Sequence, residues 1–440
     1  NLDMDYDLLV IGSGPGGYVA AIRASQLNMK VAVVEKSEIG GICLNWGCIP
    51  TKSLLKSAQV LDYINHAEDY GIRGGAEAKP DFGAIVARGR GVAEGMSKGI
   101  QYLFRKNNIE LLKGFGALAG GSEVEVTSDD GSKKKYSAGN IIIATGARSK
   151  ELPGLKQDGR KIIGYREAMT LPVQPETMVV AGSGAIGSEF AYFYQTIGTS
   201  VTLVEFMPRI VPNEDEEVSR QLERSFKKMK MRVLTGSSVE SADTSGDKCR
   251  LKILTPRGYE ELETDIVLSA VGVETNIIGI GLELAGVRTE KGKVVVDDYY
   301  RTNVPGIFAI GDIVHGPALA HVASAEGIAC VEKIAGLDPE PVDYSNIPSC
   351  IYTTPEIASC GMTEAAAKAA GREIRVGKFP FAASGKANAS GSKEGFVKLI
   401  FDASDGELLG AHMIGANVTE MISELVVARK LETTAYEIIK

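Results

Sequence analysis

Two cysteines separated by four residues, Cys43 and Cys48, are the pair best placed to do chemistry in this sequence. They lie in GGICLNWGCIPTKSLLKSA, residues 40–58. Pro50 suits a first helical position, and Leu54, Leu55, Ala58 and Leu61 then recur with helical periodicity. Two cysteines one turn apart at a helix start can reach disulfide geometry. The same residues would also suit two buried thiols or half of a metal site. A metal site needs further ligands at suitable spacing. Cys249, Cys330, Cys350 and Cys360 are scattered singly, and His66, His315, His321 and His412 form no ligand motif, so no metal is expected. Six cysteines in 440 residues are too few for a disulfide scaffold, which makes a special pair catalytic rather than structural. The other four read as small buried residues or free thiols. Lys52 follows Cys48 by four residues and so faces the same side of the helix, where its cation favours a thiolate.

The elements that must position this pair repeat themselves. Residues 7–35 (DLLVIGSGPGGYVAAIRASQLNMKVAVVE) and 177–205 (TMVVAGSGAIGSEFAYFYQTIGTSVTLVE) are offset by 170 residues. Each reads as an apolar strand, a Gly-x-Gly-x-x-Gly turn, a helix-length stretch and a second apolar strand ending in Glu. Gly12, Gly14 and Gly17 align with Gly182, Gly184 and Gly187, and Glu35 aligns with Glu205, each 18 residues beyond its last Gly. The first Gly makes the tight turn, the second lets backbone approach a pyrophosphate, and the third lets helix pack on strand. The helix N-terminus offers N–H groups to phosphate, and the terminal Glu accepts from ribose hydroxyls. Two copies in full context read as two dinucleotide sites. Asn140–Gly146 and Asp265–Gly272 are apolar runs ending in Gly, each suited to close its unit as a later parallel strand, and Gly306–Asp312 is a third. SDDGSKKK, residues 128–135, fits an exposed hairpin turn and, more simply, a solvated charge run. From about Tyr344 the pattern changes: Pro348–Met362, Gly395–Asp402 and Leu408–Ile414 look like strands of an α+β domain, and Val418–Lys440 looks helical.

Length and composition suit a multidomain, soluble globular protein. A chain of 440 residues predicts about three domains. A net charge of −8 argues against nucleic acid or an anionic membrane as the main partner. The uncharged runs Leu8–Ile22 and Phe190–Val204 are too short for a membrane span. Nothing resembles a signal peptide, and the chain starts at Asn1 rather than Met, which points to processing or trimming.

With GSGPGG, CLNWGCIPTK, IIIATG, GSGAIGSE, VTLVE, AVG, IFAIGD, LAHVASAEG, YTTPEIASCG and LGAHMIG in this order, the whole chain resembles the flavoprotein pyridine nucleotide-disulfide oxidoreductases, within them most the dihydrolipoamide dehydrogenase branch. The resemblance implies an α/β fold with two Rossmann-like dinucleotide-binding domains and a C-terminal α+β dimerisation domain. Its boundaries would be 1–148 for FAD, 149–273 for NAD, 274–343 for a central domain completing the FAD site, and 344–440 for dimerisation, the last continuing past Lys440. Cys43 becomes the thiol that exchanges with substrate. Cys48 becomes the one against the flavin, in charge-transfer contact with it, and Lys52 also favours negative charge on reduced flavin. Glu189, which aligns with Val19 and so is not required by the nucleotide fold, becomes the partner of Lys52 beside the nicotinamide. The FAD contacts implied are Gly12, Gly14, Gly17, Glu35, Lys36, Gly41, Lys52, Gly116, Thr145, Gly146, Asp312 at the ribityl chain, and Ala318, Leu319, Ala320 and His321 at a helix start facing the flavin pyrimidine. The NAD contacts implied are Gly182, Gly184, Ala185, Ile186, Gly187, Glu189, Glu205, Val239 and Gly272. Neither His321 nor His412 is read as a base; His412 suits a strand core or an interface.

The activity implied is oxidation of protein-bound dihydrolipoamide to lipoamide with reduction of NAD⁺. The protein would be a homodimer serving lipoyl domains and the acyltransferase core of 2-oxo acid dehydrogenase complexes, in a bacterial cytoplasm by preference or an organelle matrix. The alternatives are a mercuric or glutathione-type reductase and a non-catalytic subunit of a larger complex; an intact cysteine pair argues against the last. Two departures stand out. The family's C-terminal His-Pro motif has no match in these residues, since no His follows His412, and GVETN at 272–276 replaces a stretch that carries Arg and Pro in many relatives. Trp46, the single Trp, lies between the two cysteines, where it either shapes the pocket or packs. Glu205, followed by Phe206 and Met207, would repel a 2′-phosphate. The protein is therefore expected to prefer NAD over NADP by at least about tenfold in kcat/KM, a preference that Glu205→Ala relaxes. Equal steady-state efficiency with the two coenzymes would contradict this.

Overall fold

The computed structural model describes residues 4–75 and 78–440. The chain divides into two compact units and crosses between them repeatedly. One is made of 1–50, 88–149 and 273–342, the other of 51–87, 150–272 and 343–440.

In the first unit, strand Tyr6–Ile11 pairs in parallel with Val31–Glu35 on one side and with Lys133–Ile143 on the other. Ile307–Ala309 joins in parallel beyond Lys133–Ile143, so the apolar runs ending at Gly146 and Asp312 do extend the first nucleotide sheet. Leu8, Leu9 and Val10 are wholly buried, as expected of a parallel strand covered on both faces. Helix Pro15–Gln26 presents Gly16, Gly17, Ala20, Ala21 and Ala24 inward and packs on helix Ala320–Ile334. These small residues allow close contact: a Cβ on Gly327 would stand 2.8 Å from the Gly16 carbonyl oxygen. The segment SDDGSKKK does form a hairpin, with Glu123–Thr127 antiparallel to the start of Lys133–Ile143.

The second unit repeats the plan. Thr177–Ala181 pairs in parallel with Ser200–Val204 and with Ile266–Ser269, the strand expected to close it. Between them helix Ala185–Thr196 buries every residue from Gly187 to Tyr194. A three-stranded antiparallel sheet, Ser238–Asp243, Cys249–Thr255 and Gly258–Thr264, is inserted before the last parallel strand. The C-terminal residues form a five-stranded antiparallel sheet in the order Ser349–Ile351, Glu356–Gly361, Leu408–Gly415, Phe396–Asp402, Ile374–Pro380, with helix Val418–Lys430 packed on it. The run 348–362 is thus two strands, separated by a turn through cis Pro355. The expected helix at 418–440 is broken into Val418–Lys430 and Ala435–Ile439. Among the described residues no helix is long and apolar enough to cross a membrane.

Polar groups are buried where the C-terminal sheet meets helix Glu216–Lys228. Lys398, fully buried, places its ammonium 3.0 Å from Asp215, 2.8 Å from Glu217 and 2.6 Å from Glu364. Burial alone would lower its pKa, but the three carboxylates outweigh it and raise it. Cross-strand neighbours continue the polar row, with Lys398 opposite His412 and His412 opposite Ser359. Burial holds His412 below its ordinary value, and its Nε2 lies 2.8 Å from the Met362 carbonyl. Glu214, also buried, is pushed up to about 7, chiefly by desolvation, with the Asp215 charge adding to it and a Ser359 hydrogen bond opposing it. The folded protein therefore holds the Glu214 proton more tightly than an unfolded chain titrating near 4.5. The stability this confers is complete below that value and is lost as pH rises through about 7. Glu214→Gln should remove this loss. Melting curves from about pH 5 to about pH 8 should show wild type declining relative to the variant, and parallel profiles would refute the assignment.

Candidate active site

In the first unit, the turn after Tyr6–Ile11 is tight because its backbone touches backbone. A Cβ on Gly12 would lie 2.2 Å from the Ala144 carbonyl oxygen, and one on Gly17 would lie 1.9 Å from that of Gly12. At Gly14 a Cβ would meet nothing within 4 Å, which leaves an open cradle above the helix start. Helix Pro15–Gln26 has no side-chain cap, so its first N–H groups remain available to an anion. Glu35, at the end of the second strand, accepts from Ser13 N at 3.0 Å and Ser13 Oγ at 2.7 Å. Gly41 closes on the same turn, its Cβ position 2.7 Å from Gly14 Cα. Gly116 sits against Val34, and Lys36 lies over the Phe115 ring. Gly146, with positive φ, follows the closing strand, while the Thr145 hydroxyl donates to the Asn276 carbonyl at 2.7 Å. Asp312 lies in a single turn after Ile307–Ala309, and burial raises its carboxyl pKa against the field of Lys293. Ala318 and Leu319 lead into helix Ala320–Ile334, uncapped by any side chain, with His321 exposed in its first turn. These are the groups expected at one dinucleotide, and among them are an open glycine, an uncapped helix start and a strand-end carboxylate.

Cys43 and Cys48 are joined in a disulfide, their Cα atoms 4.7 Å apart. Cys43 lies in the short helix Gly41–Trp46, Gly47 interrupts it, and Cys48 starts helix Cys48–Asn65. The helix thus begins two residues before Pro50, and Leu54, Leu55, Ala58 and Leu61 are buried as their periodicity implies. Asn45, buried beside the cysteines, holds this segment: its amide donates to the carbonyls of Ile39 at 2.9 Å and Gly41 at 3.0 Å, and its oxygen accepts from Ser97. Trp46 packs under the Arg90 guanidinium, 3.9 Å from the ring centroid, and Arg90 also donates to the Asn45 carbonyl. Ser97 and Arg90 come from helix Phe82–Lys106, far along the chain, so the cysteine motif itself gave no sign of them.

The second unit carries the matching turn. A Cβ on Gly182 would be 2.3 Å from the Ala270 carbonyl oxygen, one on Gly187 1.8 Å from that of Gly182, and one on Gly184 would meet nothing. Ala185 and Ile186 open the uncapped helix. Glu205 accepts from Ser183 N at 2.8 Å, Ser183 Oγ at 2.5 Å and Met207 N at 2.8 Å. Gly272 has positive φ with open space around it, and Val239 packs against the core of this unit. Lys52 and Glu189 meet here: Nζ is 3.3 Å from Oε1 and 3.2 Å from Oε2. Glu189 is buried on helix Ala185–Thr196, just past its first turn, and Lys52 is partly exposed. Of the other cysteines, Cys249, Cys330 and Cys360 are buried and Cys350 partly so. Back in the first unit, Val273–Thr275 of the GVETN stretch forms a strand against Ala147–Ser149, with Arg148 paired to Glu274 at 3.0 Å.

Fold and site together define a redox-disulfide protein with two dinucleotide-binding loops. Residues 6–327 match the pyridine nucleotide-disulphide oxidoreductase family and residues 347–440 match its dimerisation domain; the chain belongs to this family. Among its relatives, the dihydrolipoyl dehydrogenases of Rhizobium etli and Zymomonas mobilis are each 47% identical to it, over 98% of this chain and 93% of the first and over 99% of this chain and 94% of the second. The crystal structure of LpdA from Mycobacterium tuberculosis is similar with a TM-score of 0.90 at 28% identity, over 97% of this chain and 94% of that one. FAD and NAD(H) are the cofactors of the dihydrolipoyl dehydrogenases. Gly184 allows the nucleotide reading to be separated from stability. Its φ of −63° suits any residue and an added Cβ has room. Gly184→Ala should therefore leave thermal stability within about 0.5 kcal/mol while weakening NADH binding in a fluorescence titration. Unchanged affinity would place the pyrophosphate elsewhere.

Proposed function

We propose that this chain is the FAD-dependent enzyme that oxidises protein-bound dihydrolipoamide to lipoamide and reduces NAD⁺ to NADH, with release of a proton. The observation that carries the reading is the Cys43–Cys48 disulfide at the start of a helix, beside a dinucleotide loop, in a chain of this family. A substrate thiolate attacks Cys43 Sγ, the Cys43–Cys48 bond breaks, and Cys48 leaves as a thiolate. The second substrate thiol then attacks the substrate sulfur held on Cys43, closing the lipoyl disulfide and freeing Cys43. The Lys52 cation, one helical turn beyond Cys48, favours the thiolate there, and Glu189 orients that cation. Bound FAD supplies the conversion of the dithiol's electron pair into a hydride that NAD⁺ can accept.

In this reading Gly12, Gly14, Gly17, Glu35 and Asp312 hold FAD, and Gly182, Gly184, Gly187 and Glu205 hold NAD. The division into FAD, NAD, central and dimerisation domains at 148, 273 and 343 follows the same assignment. The dimerisation domain supports a homodimer, and bacterial relatives support a cytoplasmic enzyme serving lipoyl domains and an acyltransferase core. Steady-state turnover with dihydrolipoamide, glutathione and mercuric ion as rival thiol-side substrates tests the function; preference for either of the last two overturns it. Cys43→Ser should abolish lipoamide turnover, retain NADH-to-dye electron transfer and show a persistent long-wavelength absorbance from the Cys48 thiolate. Surviving lipoamide turnover in that variant would mean that the exchange thiol is misassigned.

A further inference from the structure

The Lys52–Glu189 pair has a third member. The ring of Tyr352 lies under the Lys52 ammonium, with Nζ 4.3 Å from its centroid. The backbone N–H of the same residue donates to Glu189 Oε1 at 2.9 Å. We propose that Tyr352 is a positioning residue for this pair, its ring fixing the ammonium and its N–H the carboxylate, so that one residue, just past the strand Ser349–Ile351, sets both ends. The proposal rests on the reading of Lys52 as the cation that favours the Cys48 thiolate.

The geometry gives the reason. The two ammonium–carboxylate contacts, at 3.2 and 3.3 Å, are longer than the 2.7–2.9 Å of strong charge-assisted bonds. The carboxylate alone leaves a flexible four-carbon side chain loosely held. A second carboxylate would tighten it but would cancel the positive field that the chemistry uses. An aromatic face attracts the ammonium while adding no net charge. The groups around the ring keep it neutral. Burial, with the nearby Cys350 and Glu189, pushes the Tyr352 hydroxyl up to about 12, while Glu356 and Glu420 act in the same direction. Cys350, two residues back in the strand Ser349–Ile351, is pushed up to about 11 by burial and by Glu214 and Glu356, with Lys52 opposing.

The test uses the holoenzyme in three forms besides wild type. Tyr352→Phe keeps the ring, Tyr352→Leu removes it, and a pentafluorinated phenyl side chain introduced at 352 keeps the shape but reverses the ring's quadrupole. The first readout is the acylation rate of Lys52 at fixed pH, followed by peptide mass spectrometry, which requires no turnover. It should be unchanged in Tyr352→Phe and at least about threefold faster in the other two. The second is the pH midpoint of the thiolate–flavin absorbance in the NADH-reduced enzyme, which should move upward in the same two forms only. Wild-type acylation in Tyr352→Leu overturns the proposal, as does a Tyr352→Phe protein that behaves like Tyr352→Leu. Should Tyr352→Leu not fold, the pentafluorinated form decides, because its shape is retained. Acylation that follows the ring while the midpoint never moves would uphold the positioning role and overturn the assigned role of Lys52. Both readouts are independent of which thiol substrate the enzyme takes.

Discussion

Both nucleotide loops depend on a single steric allowance, backbone lying against backbone where any side chain would collide. The carbonyl of the first glycine in each turn occupies the place where a Cβ on the third would stand, 1.9 Å away at Gly17 and 1.8 Å at Gly187. That contact lets the helix start directly above the strand end, so its unpaired N–H groups face outward instead of into a loop. The middle glycine has a different task. Its Cβ position is empty in both copies, so a side chain there would meet no part of the protein. The fold therefore requires the outer pair of each motif to be glycine and makes no such demand of the middle one; on the proposed function, the middle one leaves room for a ligand.

The terminal glutamates show a similar double duty. Glu35 and Glu205 each grip the serine between the first two glycines through both its N–H and its hydroxyl. Each carboxylate is thereby a brace for the glycine turn before it. On the proposed ribose role, replacing either acid disturbs the loop as well as the sugar contact, so a loss of coenzyme preference and a loss of affinity are expected to come together.

Much of this was legible in the sequence because it is local. The duplicated turns, their closing strands and the cysteine helix are each written within about thirty residues, with apolar runs and glycines at fixed offsets. The C-terminal sheet was read less well. Strand Ile374–Pro380 is an exposed edge with Gly and Pro in it, and carries no alternation to betray it. The inserted sheet at 238–264 is not announced by its sequence, because its outer strands Ser238–Asp243 and Gly258–Thr264 are largely exposed and acidic. The supports of the site were invisible for another reason. Asn45 lies between the two cysteines, but its partner Ser97 and the neighbouring Arg90 come from a helix some fifty residues away, and Tyr352 reaches Lys52 from 300 residues further along the sequence. Such pairings follow from topology, and no spacing rule encodes them.

The buried lysine of the C-terminal sheet has a consequence for how the second unit moves. Lys398 joins strand Phe396–Asp402 to the carboxylates at the start of helix Glu216–Lys228 and to Glu364 on a third segment. Opening any one of these would strand an ammonium or its carboxylates away from both water and partner, at a cost of several kcal/mol. Partial fraying at this junction is therefore disfavoured relative to concerted opening. Helix Glu216–Lys228 and the last sheet, joined between residues 183 positions apart in the chain, are tied into one cooperative block whose amide protons exchange with solvent through a shared event.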